Sequence, residues 1–284
     1  QVRRWRCSLD GFDRIASGDV TNVVGAETTD VLDLLSVEEP LEIRIGDRSI
    51  AVTMRTPGDD RRLVMGLLFS EGLVEKFTDV ESLNEIPSLD GTTVWSVTLK
   101  DGMLSEGKLS NRSLASTSSC GLCGKTEWDT QTVEASASRQ LAFPQSLLSR
   151  CFRVMSEHQA VFGRTGGSHA AALFSANAGL LAFGEDAGRH NAVDKAVGDL
   201  WERGRLDEAV LLCVSGRVSY EIASKAKRAG VSILAAVSAP SSMAVEYCRE
   251  HGITLACFCR GDRATVYSHP EYLIESTVSG QARI

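Results

Sequence analysis

No run of 18 or more apolar residues occurs in this 284-residue chain, and a membrane-crossing helix needs a span of about that length. Its first residues, Gln1-Val2-Arg3-Arg4-Trp5-Arg6-Cys7, also lack the apolar stretch of a secretory signal. The expected location is therefore the cytoplasm, with no membrane partner. A basic excess is missing too, since the formal net charge is -7 and the pI is near 5.4. Nucleic acid, which is held through clustered Lys and Arg, is not an expected partner. Any anionic ligand must be met locally.

A second Cys-x-x-Cys is absent as well. Cys120 and Cys123 form the only such pair among eight cysteines, whereas a closed structural zinc site usually draws four ligands from two paired motifs. The nearest substitute is Cys257-Phe258-Cys259, whose thiols read as lying on opposite sides of a strand, a poor chelate. The pair at 120 and 123 stays open between sulfur or redox chemistry, a zinc site shared with His or a second subunit, and an inert loop pair. No metal ligand set is assigned. The other cysteines, such as the one in Leu212-Cys213-Val214, read as buried core thiols.

With 43% hydrophobic and 24% charged residues, the chain has material for one large or two smaller packed domains. Leu41 to Ile45 alternates, Gly46-Asp47 supplies a turn, and Ser49 to Met54 continues, which predicts a hairpin. A helix is expected from Asp59 to Glu71, capped near Thr56-Pro57-Gly58-Asp59 and stopped at Gly72, followed by a strand over Thr93 to Leu99. Residues 105–130 are rich in Ser, Thr, Gly and Asn and read as a linker and mobile segment.

The second half alternates short apolar strands with helices. Pro144 to about Phe162 reads as one helix. Strands then fit Ala170 to Phe174, Leu180 to Gly184, Ala209 to Val214, Val231 to Val237 and Thr254 to Phe258. Helices fit Asn191 to Arg203, Tyr220 to Ala229 and Ser242 to His251. That rhythm predicts an α/β layer with parallel strands in its last portion, whose ligands gather at the strand carboxyl ends.

Three turns there share one design of small residues opening a helix: Glu185-Asp186-Ala187-Gly188-Arg189-His190-Asn191, Val214-Ser215-Gly216-Arg217 and Val237-Ser238-Ala239-Pro240-Ser241. Free N–H groups at a helix start attract phosphate, and Arg189 and Arg217 could add bidentate contacts. The repeated pattern points to a phosphate-bearing ligand. Zinc deamination does not fit. Its signature needs His-x-Glu followed by Pro-Cys-x-x-Cys, but Ala171 stands where the Glu belongs in His169-Ala170-Ala171, and the cysteine pair lies upstream. A thioredoxin-like role is weak, because Cys120 follows a Ser/Thr-rich loop rather than a strand. Lys125, and any helix starting near Thr126, would favour a thiolate.

Several runs together resemble the FdhD family, the formate dehydrogenase accessory sulfurtransferases. They are Glu39-Pro40-Leu41, Met54 to Asp59, Leu68 to Gly72, Cys120-Gly121-Leu122-Cys123-Gly124, Thr165 to Ala171, Glu185 to Lys195, Ser215-Gly216-Arg217, Ser238-Ala239-Pro240 and Phe258 to Arg263. The resemblance implies an α/β chain (α+β overall), with a cytidine-deaminase-like three-layer α/β domain over 131–284 and a smaller β-rich domain over 38–104. The Cys-x-x-Cys loop occupies 105–130 between them, and 1–37 is unassigned.

The implied function is a sulfur carrier that takes persulfide sulfur from a cysteine desulfurase and delivers it to the bis-guanylyl molybdopterin cofactor (Mo-bisMGD) needed by formate dehydrogenase. No permanent cofactor is expected, and the implied assembly is a homodimer. Carried over, Cys120 is the persulfide cysteine and Cys123 its partner. The implied cofactor-binding residues are Phe258, Cys259, Arg260, Gly261, Asp262 and Arg263, with Gly166, Gly167, His169, Arg189, Ser215, Gly216, Arg217 and Ser238 from the turns. Alternatives left open are an insertion chaperone without sulfur chemistry and a zinc-binding protein.

Overall fold

A computed structural model describes residues 14–24, 27–86, 92–100 and 140–275, together with the backbone of two short strands, Arg6–Cys7 and Leu114–Ala115. Strands β1 (Arg6–Cys7), β2 (Ile15–Val24) and β3 (Glu27–Ser36) form an antiparallel three-stranded sheet. β4 (Glu39–Ile45), β5 (Arg48–Arg55), β6 (Val80–Ile86), β7 (Thr93–Leu99) and β8 (Leu114–Ala115) form a second sheet in the order β6-β7-β4-β5-β8. Helix α1 (Asp60–Ser70) follows β5. It stops where Gly72, at φ 70°, lets its own N–H reach the Phe69 carbonyl and that of Leu73 reach Leu68, the paired closure that a left-handed glycine permits.

The third sheet has six strands in the order β11-β10-β12-β13-β14-β15. They are β10 (His169–Phe174), β11 (Leu180–Asp186), β12 (Leu211–Val214), β13 (Ile233–Ala236), β14 (Thr254–Arg260) and β15 (Arg263–Ser268). β12, β13 and β14 are parallel, while β10 and β15 run against their neighbours. A small pair, β9 (Phe143–Pro144) with β16 (Leu273–Ile274), lies outside it.

Period-two alternation divides the apolar side chains between the two faces of the six-stranded sheet. Leu173, Leu212, Leu234 and Leu255 fill one core, and Phe174, Leu211, Ile233 and Ala256 fill another. Helix α2 (Leu148–Glu157) covers the second face through Leu148, Cys151 and Met155. Helices α4 (Arg189–Glu202), α5 (Tyr220–Arg228) and α6 (Ser242–Glu250) cover the first. The result is three layers. Leu41, Ile43, Leu63, Leu68 and Val97 of the N-terminal part join this same first core, so both parts of the chain share it.

That sharing depends on α4, which is buried nearly all round and packs against α1 on one side and β10 and β11 on the other. The two helices meet at glycines: a methyl group at Gly66 would collide with the Asp194 carbonyl, and one at Gly198 with the Arg62 carbonyl.

The helix expected over Pro144 to Phe162 is instead broken. A short 3-10 turn (Gln145–Leu147) leads into α2, the helix stops at His158, and α3 (Ala160–Thr165) starts afresh. The cause is the buried Glu185 carboxylate, which accepts hydrogen bonds from the N–H groups of Val161 and Phe162 at the start of α3 (3.1 and 2.8 Å). β15 and the β2–β3 hairpin were not expected at all. Residues 263–266 are uniformly exposed, so that stretch of β15 carries no apolar alternation to read. Residues 105–130, expected to be a linker and mobile segment, lie outside the described residues apart from the backbone of β8.

Overpacking a close helix crossing costs about 1–3 kcal/mol or more when neither backbone can yield. Gly66→Ala is therefore expected to lower the urea midpoint sharply, while Gly163→Ala in α3, where nothing lies within 4 Å, leaves it unchanged or slightly raised. Equal midpoints for the two variants would show that the crossing tolerates separation.

Candidate functional site

Since β12, β13 and β14 are parallel, their carboxyl ends share one edge. β11 also ends there and β10 starts there, because both β11 and β12 are antiparallel to β10. Sheets of this kind present ligands with that edge. It brings together the Asp186–Arg189, Ser215–Arg217 and Ser238–Ser241 turns, the amino end of β10 with His169, and the β14–β15 turn.

The centre is tight. A methyl group at Gly216 would lie 3.4 Å from Nδ1 of His169 and 3.4 and 3.5 Å from Cβ and Cδ of Arg189, so these residues surround a bare backbone. Ser215 ties its turn to β10, its Oγ accepting from Ala170 N–H at 2.9 Å and its own N–H donating to the Ala170 carbonyl at 2.9 Å. The Nε of Arg189 is buried and has no hydrogen-bond partner among the described residues. A buried donor of that kind costs free energy unless something accepts from it. His169 is held neutral: burial, then the charge of Arg189, then Arg217, press its pKa below the ordinary 6.5, and Asp186 opposes them only in part.

The other assigned residues flank this centre. Gly166 ends α3 at φ 65°, and the Gly167 carbonyl accepts from Ser36 Oγ at 2.8 Å, which fastens that loop to β3. Ser238 offers its carbonyl to Phe258 N–H at 3.2 Å, joining two turns. Phe258, at φ 53°, is 42% exposed at this edge. Arg260, Gly261, Asp262 and Arg263 form an exposed hairpin turn, with Gly261 at φ 55°.

Cys259 is a correction. It is 5% exposed, burial pushes its thiol up to about 11, and it packs in the second core, so it is a core residue and not a ligand-facing one. Cys257 lies in the first core. The two thiols do face opposite sides, but regular alternation would place them on the same side. The left-handed backbone of Phe258, with the register shift there, turns the strand over between them.

Two buried carboxylates to which the sequence assigned no role hold this edge. Asp186 is fully buried and receives four donors: Gly188 N–H at 2.8 Å and Asn191 Nδ2 at 3.0 Å on Oδ1, Thr56 N–H at 3.1 Å and Lys195 Nζ at 2.7 Å on Oδ2. Glu185 receives Val161, Phe162 and the Ser168 hydroxyl (2.7 Å). A second buried pair, Lys225 Nζ with Asp194 at 2.8 Å, also reaches Glu71 at 3.2 Å and braces α1, α4 and α5. No residue pattern sets these charges apart from solvated ones: Glu185-Asp186 and Asp194-Lys195 are charged neighbours, and Lys225 stands in the largely polar run Ser224 to Arg228.

A separate open groove of about 390 Å³ lies at the other end of β11, lined by Arg14, Asp59, Arg62, Asp199 and Arg203 among others. Its arginines are already engaged, in pairs such as Arg14–Asp59 at 2.6 Å and Arg203–Asp199 at 2.7 Å. Arg189 at the carboxyl edge, by contrast, keeps a donor without an acceptor among the described residues, which makes that edge the better candidate for an anion. Among the described residues no group of three His, Cys, Asp or Glu could hold a metal ion, and no helix is long and apolar enough to cross a membrane. Cys120 and Cys123 lie outside the described residues.

The fold and site place the chain among three-layer α/β proteins with an arginine- and glycine-lined carboxyl edge, and comparison with known proteins narrows that class. The FdhD/NarQ family profile matches residues 36–274, and the chain belongs to that family. It is 41% identical over 262 residues to the Sulfur carrier protein FdhD of Mycolicibacterium paratuberculosis, covering 89% of this chain and 96% of the relative. The protein of the same name from Sulfolobus acidocaldarius is 40% identical, over 84% of this chain and 90% of its own length. A crystal structure described as that of a formate dehydrogenase accessory protein from Desulfotalea psychrophila superposes with a TM-score of 0.71 at 20% identity, covering 91% of this chain and 98% of that one. It shares the fold.

His169 is expected to titrate below 6.5 in an NMR pH series of the folded protein. The unfolded chain then binds the proton more readily, so stability should decline as pH falls below about 6.5. A midpoint above 6.5 would contradict the burial of the ring beside Arg189.

Proposed function

We propose that this chain is a sulfur carrier whose Cys120 accepts persulfide sulfur from a cysteine desulfurase, with Cys123 as its partner thiol. Its cargo site is the carboxyl edge of the six-stranded sheet. The substrate held there is the bis-guanylyl molybdopterin cofactor, and the delivered sulfur makes formate dehydrogenase active. The protein works as a homodimer in the cytoplasm. The observation that carries this reading is the 41% identity, over 96% of its length, to a protein named Sulfur carrier protein FdhD. Agreement comes from the site: a guanylyl cofactor carries pyrophosphate groups, and Arg189 offers a buried Nε with no acceptor beside the bare backbone of Gly216.

The loading step is a thiol exchange. The Cys120 thiolate attacks the outer sulfur of the desulfurase persulfide, a new S–S bond forms on Cys120, and the bond inside the donor persulfide breaks. The desulfurase cysteine leaves as a thiolate and takes up a proton. The described cysteines are poor candidates for this role, because Cys151, Cys248 and Cys257 are buried with thiols pushed up to about 12. At neutral pH they hold almost no thiolate.

Incubation with a cysteine desulfurase and cysteine should add sulfur to the intact mass, removable by reductant, and Cys120→Ala should abolish the gain. No gain in the wild-type protein would sink the proposal. A Cys120→Ala/Cys123→Ala variant that still restored formate dehydrogenase activity would replace it with a cofactor-binding chaperone.

A further inference from the structure

Thr56 sits in the turn between β5 and α1 and is fully buried. Each of its polar groups is spent on the α/β side of the molecule. Its N–H donates to Asp186 Oδ2 at 3.1 Å, its carbonyl accepts from Lys195 Nζ at 2.8 Å, and its Oγ1 accepts from Ala187 N–H at 3.0 Å. The first two bonds come from the main chain and any residue could make them. The third needs a side-chain acceptor, here the Thr56 hydroxyl oxygen, which an apolar side chain of the same size lacks.

That third bond falls at a sensitive place. Ala187 N–H is held by Thr56, and the next amide, Gly188 N–H, is held by Asp186 Oδ1 at 2.8 Å. Gly188 has little room to move, since a methyl group there would lie 3.0 Å from Asn191 Nδ2 and 3.3 Å from Asp186 Oδ1. With two successive amides pinned, Arg189, the first residue of α4, leaves the turn in a fixed direction that runs its Cβ and Cδ past Gly216 and beside His169.

We propose that Thr56 is a positioning residue for the anion site: its hydroxyl, supplied by the N-terminal part of the chain, fixes the Ala187-Gly188 turn and so sets Arg189 against Gly216 and His169. This rests on the reading of Arg189 as the ligand-binding group. It gives the N-terminal part a role in ligand binding although none of the assigned binding residues comes from it.

Thr56→Val keeps the side-chain volume and removes only the hydroxyl bond, while Thr56→Ser restores the hydroxyl. Two readouts are measured in the full chain: the NMR titration midpoint of His169 without ligand, and the Kd for GDP by calorimetry. If Arg189 loses its place, its charge presses less on His169, so the midpoint should rise in Thr56→Val and return in Thr56→Ser. Asp186 and Arg217 also act on that ring, and neither is bonded by the Thr56 hydroxyl. GDP binding should weaken about fivefold or more in Thr56→Val and return to within about twofold in Thr56→Ser, the scale of one lost positioning bond. A Thr56 that serves stability alone would lower the unfolding temperature of Thr56→Val and leave both readouts unmoved, which overturns the proposal. If the wild-type protein does not bind GDP, the ligand reading fails, and the His169 midpoint alone decides the positioning claim.

Discussion

A single buried ion pair, Asp186 with Lys195 at 2.7 Å, organises the molecule. Both side chains are completely excluded from water, and such a pair is tolerated only when further hydrogen bonds satisfy its remaining atoms. Here they do. Lys195 also donates to the carbonyls of Thr56 and Glu185, and Asp186 collects Thr56, Gly188 and Asn191. Asn191 in turn donates to the Met54 carbonyl at 2.8 Å. One cluster thereby connects the end of β5, the end of β11 and the first turns of α4.

Chemistry at the edge follows from that connection. Arg189 is the residue after the turn Asp186 closes, and His169 is the cross-strand partner of Asp186 in the β10–β11 register. The site's cation, Arg189, and the neutral ring of His169 beside it are thus both mounted next to the buried pair. On a chain whose net charge is -7, the proposed anion site depends on local placement rather than on the overall field. An orphaned Nε on Arg189 is affordable where a bound anion supplies the missing acceptor.

Much of the layered fold was legible because the strands of a covered sheet are apolar and short. Leu211–Val214 and Ile233–Ala236 are buried at every position, and such runs stand out between helices of ordinary period. The α1 helix was legible from its apolar face and its stop at Gly72. What stayed hidden depended on tertiary partners. The break at His158 comes from Glu185, more than twenty residues away in sequence, and β15 is held by pairing with β14 rather than by any pattern of its own. The candidate site was half legible: the small-residue turns named Arg189 and Gly216, and the Thr165–Ala171 run named His169, which the structure brings together, while the burial of Cys259 was hidden because the reversal at Phe258 cannot be read from residue types. The role of Thr56 was hidden for the same reason, as its partners lie about 130 residues along the chain.

The claim that ties these features to function is that the carboxyl edge binds the guanylyl end of the cofactor. A crystal structure of the protein with GDP tests it directly. The expected result is a phosphate oxygen about 3 Å from Arg189 Nε, beside Gly216. GDP bound instead in the groove of Arg14, Arg62 and Arg203, or with its phosphates turned away from Arg189, would contradict the account.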